Sequence, residues 1–328
     1  MISAREEDCL TKKKIVLRIV ICLLIVAVLA VGAYAGLLGA RKARSMWARL
    51  LQEFQGVQTK TEKMVRELQT DMHFLQGRYA FDYTWAEGSV PLIAHAFGGV
   101  DGLEYTNSRE AFLYNYEQGY RVFEVDFNLL SDGQQVASHD EERWRERAGV
   151  DSSMEYNHEN FMAFPLLDKY ETMDYRSVID LMAEYPDIYV VTDTKEKDEA
   201  SVKYQFSQLV WYAKQVDPSV LDRMVVQVYN EDMLNWVMDI HPFRSVLFTL
   251  YMAAWTPESV VDFCQRTGVR FITMFYSSYK PEIGKLWSDH GITVAVHTLN
   301  DPQQAQQFIK DGATWIYTDF LNPADFAR

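Results

Sequence analysis

The stretch Val122–Phe127 reads VFEVDF and places two carboxylates inside a run of large apolar side chains. Such a run predicts a buried strand of a parallel sheet, because parallel strands covered on both faces are nearly continuous in apolar residues. Glu124 and Asp126 are two positions apart, so they share one face of that strand. Buried carboxylates need a compensating charge, and their oxygens suit a hard divalent cation, Ca²⁺ or Mg²⁺. The stretch therefore predicts a parallel strand that carries part of a cation site.

Comparable apolar runs recur along the chain and alternate with helical patterns such as Met173–Ala183 and Ser201–Val216. The predicted strands are Leu92–His95, Val122–Asp126, Ile188–Asp193, Met224–Val228, Ser245–Thr249, Arg270–Met274, Thr293–His297 and Thr314–Thr318. Eight strand–helix units predict an α/β fold, a closed parallel (β/α)₈ TIM barrel. An open doubly wound sheet is the alternative, but no Gly-x-Gly-x-x-Gly turn follows the first strand.

Two histidines and a third carboxylate lie near the ends of these strands. His95 ends the first predicted strand, Asp193 ends the third, and His139 lies in the excursion after the second. Barrel enzymes form their sites at the carboxyl ends of the strands, so we expect these residues to lie beside Glu124 and Asp126. Two histidines in opposite protonation states can take a proton from one oxygen and give one to another. With a cation to neutralise charge, this is the chemistry that cleaves a phosphodiester.

Several short motifs follow one another in the order of a known family. They are His95, Asn107-Ser108 before a helix start, Gly119–Asp126, Asp132–Asp140, Val190–Lys195, Val294–Asp301 and Gly312–Asp319. Val294–Asp301 is similar to a family pattern Val-x-x-Trp-Thr-Val-Asn-Asp, and Gly312–Asp319 is similar to Gly-Val-Asp-Gly-Ile-Ile-Thr-Asp. Between Leu92 and Asp319 the chain resembles the glycerophosphodiester phosphodiesterase family, which shares a superfamily with the phosphatidylinositol-specific phospholipases C and the spider-venom type phospholipases D.

Three positions depart from the family pattern. Ala96 stands where the family has an arginine after the first histidine, which removes a bidentate phosphate clamp. Thr106 replaces the glutamate of the Pro-Glu-Asn-Thr turn, and Asp193 stands where the family usually has glutamate. We interpret the chain as a divergent member with a shifted substrate, because both histidines and all three carboxylates are present.

The resemblance assigns roles to the motif residues. It implies that Glu124, Asp126 and Asp193 hold a divalent cation, and that His95 and His139 are the catalytic acid and base. The sequence leaves open which histidine is the acid and which is the base. In related enzymes a neighbouring hydroxyl of the substrate attacks first and gives a cyclic phosphate.

Four further residues are predicted to bind the substrate: Lys195, Asn107, Gln227 and His297. Lys195 is interpreted as a phosphate contact, and the alternative is that it balances the charge of Asp193. Gln227 and His297 end later strands, so they can line the pocket. Arg145 and Arg147 are candidates to replace the missing clamp, and a solvated charge run is the alternative.

The predicted function is metal-dependent hydrolysis of a glycerophosphodiester, or of a related phosphodiester derived from lipid or from the cell envelope. One alternative is a catalytically inactive binding or scaffolding protein that has retained a phosphate pocket. The other is a lipase of the phospholipase D or C type. The sequence leaves the choice between Ca²⁺ and Mg²⁺ open.

The N-terminal residues predict a membrane anchor. Residues 19–40 are free of charge and long enough to span a bilayer, so we expect a cytoplasmic segment 1–18, a transmembrane helix 19–40, a helical stalk 41–79 and an extracellular barrel domain 80–328. A signal peptide cleaved after Ala35 is the alternative. The stalk either packs on its own domain or forms a short dimeric coiled coil, which would give a homodimer.

Charge and cysteine content exclude some classes of partner. After Tyr79 the chain holds 19 basic and 39 acidic residues. So negative a domain is poorly suited to binding nucleic acid, and a bound cation must provide the local attraction for an anionic substrate. The three cysteines are Cys9, Cys22 and Cys264, so a disulfide within the barrel domain is impossible.

Overall fold

The computed structural model describes residues 77–327. The predicted segment 1–18, the predicted transmembrane helix 19–40 and nearly all of the predicted stalk lie outside these residues. Among residues 77–327, no helix is long and apolar enough to cross a membrane.

The strands close into a barrel. They are β1 Leu92–Ala94, β2 Val122–Leu129, β3 Gln135–Ala137, β4 Tyr189–Asp193, β5 Met224–Val228, β6 Ser245–Thr249, β7 Phe271–Phe275, β8 Thr293–His297 and β9 Trp315–Thr318. Eight of them pair in parallel in the order β1-β9-β8-β7-β6-β5-β4-β2, and β1 also pairs with β2, which closes the ring. The predicted parallel eight-stranded barrel is therefore confirmed.

Helices follow the strands and cover the outside of the barrel. They are α1 Arg109–Glu117, α2 Glu141–Ala148, α3 His158–Ala163, α4 Tyr175–Glu184, α5 Glu199–Val216, α6 Glu231–Ile240, α7 Pro257–Thr267, α8 Pro281–Asp289 and α9 Pro302–Lys310. Most begin at a side chain that accepts a hydrogen bond from the first turn, as Ser108 does for α1 and Asp198 does for α5. Their apolar faces pack on the strands, which leaves the carboxyl ends of the strands free to form a cavity.

An aromatic plug fills the amino-terminal end of the barrel. Trp85 is buried there, and its ring lies 5.6 Å from Tyr189, 5.4 Å from Phe271 and 5.6 Å from Trp315. Its indole N–H donates to Ser245. Because apolar side chains close this end, the polar residues at the opposite end line a cavity that opens in one direction only.

The short strand β3 was absent from the sequence prediction. It pairs antiparallel with the last residues of β2, which continues to Leu129 rather than ending at Asp126. Gly133 has a φ of +79° and makes the turn between the two strands. This hairpin brings the residues that follow β3, including His139, back over the carboxyl end of the barrel.

Candidate active site

Three carboxylates converge at the carboxyl end of β2 and β4. Glu124, Asp126 and Asp193 are all buried, and each offers an oxygen that lies within 4.8 Å of the oxygens offered by the other two. Parallel register produces this convergence, since Asp126 and Asp193 are direct partners in the ladder. The predicted convergence of the three residues is confirmed.

The electrostatics of this triad fit a divalent cation. Burial raises the pKa of Glu124 to about 8, and the charge of Asp126 adds to the effect. Burial also tends to raise the pKa of Asp126. The positive charges of Lys195 and of the two histidines outweigh this effect and lower the pKa of Asp126 to about 2. Crowded, buried oxygen donors of this kind are the ligand set of Ca²⁺ and Mg²⁺, and their mutual repulsion is relieved when a cation binds.

Lys195 is the positive charge that the chain itself supplies to the triad. Its ammonium lies 2.6 Å from Asp126 and also pairs with Asp193, and these two carboxylates raise its pKa although burial opposes them. Tyr229 and Tyr251 donate to the carboxylate of Asp193 as well. Lys195 thus balances the charge of Asp193, which is the second of the two interpretations that the sequence left open. Lys195 also lines the cavity.

His95 is held by a carboxylate on the last strand of the barrel. Its Nδ1 lies 2.9 Å from Asp319, which also accepts from the amide of Asn300. Burial lowers the pKa of His95, but the bond to Asp319 and the neighbouring carboxylates outweigh burial and raise it to about 9. Because Nδ1 donates to Asp319, Nε2 is the ring nitrogen that remains for a substrate.

His139 is held in a similar way, from the segment that follows β3. Its Nδ1 lies 2.6 Å from Asp140 and 2.9 Å from the guanidinium of Arg143, and these two side chains also pair with each other. Tyr105 stands between the two histidines, with its ring centroid 4.5 Å from that of His95 and 4.9 Å from that of His139. The two imidazoles therefore face one cavity from opposite sides of one aromatic ring.

Several residues around the triad have left-handed backbone conformations. Ala96 has a φ of +51° and directs its N–H to the carboxylate of Glu124, at 2.9 Å. Asn107 has a φ of +46°, and its side chain donates to one oxygen of Asp126 and accepts from the N–H of the same residue. Lys195 has a φ of +60°. Such conformations cost of order 1–3 kcal/mol each and commonly occur where a site is held in a fixed geometry.

The predicted substrate contacts separate into two groups. The first group lines a cavity of about 350 Å³ and consists of Lys195, Gln227 and His297. The same cavity is lined by His95, His139, Glu124 and Asp193. Asn107, by contrast, is fully buried, binds Asp126 and does not line this cavity, and its contact with a substrate stays a prediction.

The arginines of α2, which are candidates for the missing clamp, do not line the cavity. Arg145 binds Glu141 and the carbonyls of Asp151 and Met154, and Arg147 binds the carbonyls of Glu104 and Tyr105. Both guanidinium groups thus brace loops outside the cavity lining.

Some cavity residues were missed by the sequence analysis. They are Tyr105, Tyr251, Thr273, Phe275, Tyr276, Thr298 and Tyr317. Asp319, which binds His95, was quoted only as the end of a motif. Thr273 and Tyr317 lie on strands whose position was predicted, so the inward alternation of each strand is a signal that could have identified them.

Comparison with known proteins agrees with this geometry. A model of the glycerophosphoryl diester phosphodiesterase family matches residues 98–322. A search of curated proteins finds no match. Solved structures with the same fold include a phosphodiesterase of Oleispira antarctica, which was determined in complex with its product sn-glycerol-3-phosphate. It is 16% identical to this chain, with a TM-score of 0.58, and the match covers 71% of this chain and 94% of the other.

Two further solved structures are similar to this chain. A glycerophosphodiester phosphodiesterase of Parabacteroides distasonis is 18% identical, with a TM-score of 0.56 over 73% of this chain and 96% of the other. The enzyme of Agrobacterium tumefaciens is 14% identical, with a TM-score of 0.53 over 73% and 99%. At these identities the structures show the shared fold, while the match to the family model covers most of the chain. The chain therefore belongs to the glycerophosphoryl diester phosphodiesterase family, whose members are phosphoric diester hydrolases.

Proposed function

We propose that this protein hydrolyses a glycerophosphodiester, or a related phosphodiester derived from lipid or from the cell envelope, with a divalent cation and two histidines. The observation that supports this most strongly is the convergence of three buried carboxylates, His95 and His139 around one cavity. The product complex of the Oleispira antarctica relative supports a glycerol phosphate as one half of the substrate.

Glu124, Asp126 and Asp193 would hold the cation. When bound, a divalent cation supplies positive charge for the phosphate oxygens and for the charge that develops on them during cleavage. Lys195 contributes a second positive charge at the same edge of the cavity, and its contact with the substrate phosphate stays a prediction. The choice between Ca²⁺ and Mg²⁺ is left to experiment.

We assign His95 as the general acid. The Asp319 carboxylate stabilises its protonated form, and this contact persists whatever neutralises the triad. His95 would then protonate the oxygen of the leaving alcohol. His139, held through Nδ1 by Asp140, would take the proton from the attacking hydroxyl or water at its other ring nitrogen.

A hydrolysis screen tests this function. The full-length protein is incubated with glycerophosphodiesters, polyglycerol phosphates and lysophospholipids, after chelation with EDTA and after addition of Ca²⁺ or Mg²⁺. We expect turnover of a glycerophosphodiester that EDTA abolishes and one of the two cations restores. Turnover of lysophospholipid alone would favour a phospholipase instead, and no turnover of any phosphodiester would favour a binding protein.

We further propose that the N-terminal region anchors the barrel to the outer side of a cell membrane. The uncharged residues 19–40, with Lys12, Lys13 and Lys14 before them, support this topology. We also propose the segments 1–18, 41–79 and 80–328 as the cytoplasmic end, the stalk and the catalytic domain, with a homodimer formed through the stalk.

Protease added to intact cells tests this topology. We expect the region after Arg78 to be digested, and fractionation to find the undigested protein in the membrane pellet. Recovery from the culture fluid with an N-terminus at Gly36 would mean that the apolar segment is a cleaved signal peptide. Protection in intact cells would contradict an outward-facing domain.

A further inference from the structure

Tyr105 is the side chain that separates the two histidines of the cavity. Its ring meets the ring of His95 edge to face, at an interplanar angle of 78°, and meets that of His139 at 75°. The guanidinium of Arg143 lies over the same ring, 4.5 Å from its centroid. Tyr105 also lines the cavity. One phenol ring is thus in contact with both histidines and with a fixed cation.

The backbone of Tyr105 has an unusual conformation. Its φ is +55°, in the left-handed region that bulky residues rarely adopt. The two residues that follow, Thr106 and Asn107, are buried, and the side chain of Asn107 binds Asp126. The turn that carries Tyr105 is therefore fixed to the strand that carries the triad. Strained conformations of this kind cluster at functional sites, which indicates that the position of this side chain matters for the site.

The positions of the two histidines determine where a phosphate can bind. The acid and the base act on two oxygens that are bonded to the same phosphorus atom, so both imidazoles must reach one phosphate group. Tyr105 lies between the imidazoles of His95 and His139 and lines the same cavity. A phosphate that both histidines reach therefore lies beside Tyr105.

The hydroxyl of Tyr105 has the chemistry to bind that phosphate. Burial and the charges of Asp319 and Asp126 raise the pKa of Tyr105 to about 12, so the hydroxyl keeps its proton at neutral pH. A protonated phenol donates one hydrogen bond, and a charged phosphate oxygen is a strong acceptor. The hydroxyl can thus donate to an oxygen of the substrate phosphate.

Such a contact would compensate for the missing arginine. Ala96 is fully buried, and its methyl group cannot bind a phosphate. Arg145 and Arg147 do not line the cavity, and Lys195 is paired with two carboxylates of the triad. Tyr105 stands at the proline of the Pro-Glu-Asn-Thr turn of the family pattern, and a proline side chain has no donor. The hydroxyl is therefore a departure from the family pattern, as the alanine is.

We infer that Tyr105 is a catalytic residue whose hydroxyl donates a hydrogen bond to the phosphate of the substrate, in place of the arginine that the family pattern has at Ala96. This inference rests on the proposed function, because it adds a contact within the same site. The replacement is not equivalent, since an arginine binds two oxygens and carries a charge, whereas a phenol offers a single neutral donor.

Binding of sn-glycerol 3-phosphate measures the contact. Calorimetry on the full-length protein with Ca²⁺ or Mg²⁺ compares the wild type with Tyr105→Phe, which keeps the ring between the histidines and removes only the hydroxyl. We expect Kd to rise by roughly 10–100-fold, the effect of one hydrogen bond to a charged group. The matched control is Tyr114→Phe, which removes the hydroxyl of an exposed tyrosine on α1 and should leave Kd unchanged.

Cation affinity and turnover complete the test. Cation affinity should be the same in Tyr105→Phe and in the wild type, which would show that the triad of the variant is intact, while kcat/KM for a glycerophosphodiester should fall.

An unchanged Kd for sn-glycerol 3-phosphate in Tyr105→Phe would overturn the inference and leave the proposed function intact, because Tyr105 would then only separate the histidines. Absence of turnover by the wild type would refute the proposed function, and the change in Kd would still decide the inference. A wild-type protein that binds no sn-glycerol 3-phosphate with either cation would overturn the inference as well.

Discussion

The two sides of the cavity differ in how their polar atoms are bound. On the side of β1, β2 and β4 the groups are charged and paired, as Asp126 is with Lys195 and His95 is with Asp319. On the side of β7–β9 the lining groups are neutral: they include the hydroxyls of Thr273 and Tyr317 and the imidazole of His297, whose pKa is lowered by burial. The charged side thus suits reaction machinery, whereas the neutral side suits selection of the substrate.

The largest effect is expected from the histidines of the charged side. His95→Ala or His139→Ala should lower kcat by roughly 10²–10⁴-fold, because each removes one acid–base group. Cation affinity should stay largely intact, since neither histidine belongs to the triad; both quantities can be measured on the same preparation. The control is His290→Ala, an exposed histidine at the end of α8. Near-normal turnover in both variants would rule out the two-histidine mechanism.

The next largest effect is a loss of cation affinity when Asn107, which binds Asp126, is replaced. Asn107→Ala removes the side chain that holds Asp126 from two directions, so cation affinity should fall by roughly 10–100-fold. Calorimetric titration with Ca²⁺ and Mg²⁺ measures it. If Asn107 instead contacts the substrate, KM would rise while cation affinity stays unchanged, and the original sequence prediction would be restored.

A smaller effect is expected in the pH dependence. Burial lowers the pKa of His95, but the hydrogen bond to Asp319 raises it, so the protonated acid persists to higher pH than for a free imidazole. Asp319→Asn should lower that pKa and move the alkaline limb of the kcat/KM profile to lower pH. The profile between pH 6 and 10 measures the shift. An unchanged limb, or a shift to higher pH, would contradict the assignment of His95 as the acid.

The smallest effect on catalysis is expected at the opposite end of the barrel. Trp85→Ala removes a buried ring from the aromatic plug and should lower the free energy of unfolding by roughly 3–5 kcal/mol. Because neither Trp85 nor the aromatic rings around it line the cavity, kcat of the folded variant should change less than twofold. Urea unfolding and kinetics below the transition measure both. A large loss of kcat would show that the plug and the site are coupled.

The barrel itself was predictable because its strands are short, apolar and regularly spaced. Met224–Val228, Ser245–Thr249 and Thr293–His297 have the bounds that the apolar runs gave them. The hairpin of β3 was missed because three residues, Gln135–Ala137, are too short to show a period of two. Its pairing with β2 depends on a partner that a local pattern does not include.

The residues of the candidate site also differ in whether the sequence alone could identify them. Glu124, Asp126 and Asp193 could be identified from sequence because charge inside an apolar strand is anomalous wherever the strand is placed. Asn107 carries no such anomaly, and a polar residue in a loop has the same local sequence whether it faces a substrate or a neighbouring carboxylate. Only the path of the loop decides between the two.

The sequence by itself determined the number and order of the parallel strands and identified the three carboxylates and the two histidines. The tertiary structure decided which residues meet: that Lys195 pairs with Asp126, that Asp319 holds His95, and that Tyr317 lines the cavity. The physical reason is that burial and periodicity are properties of a segment, whereas a hydrogen bond, or the lack of one, is a property of two segments that the closed barrel brings together.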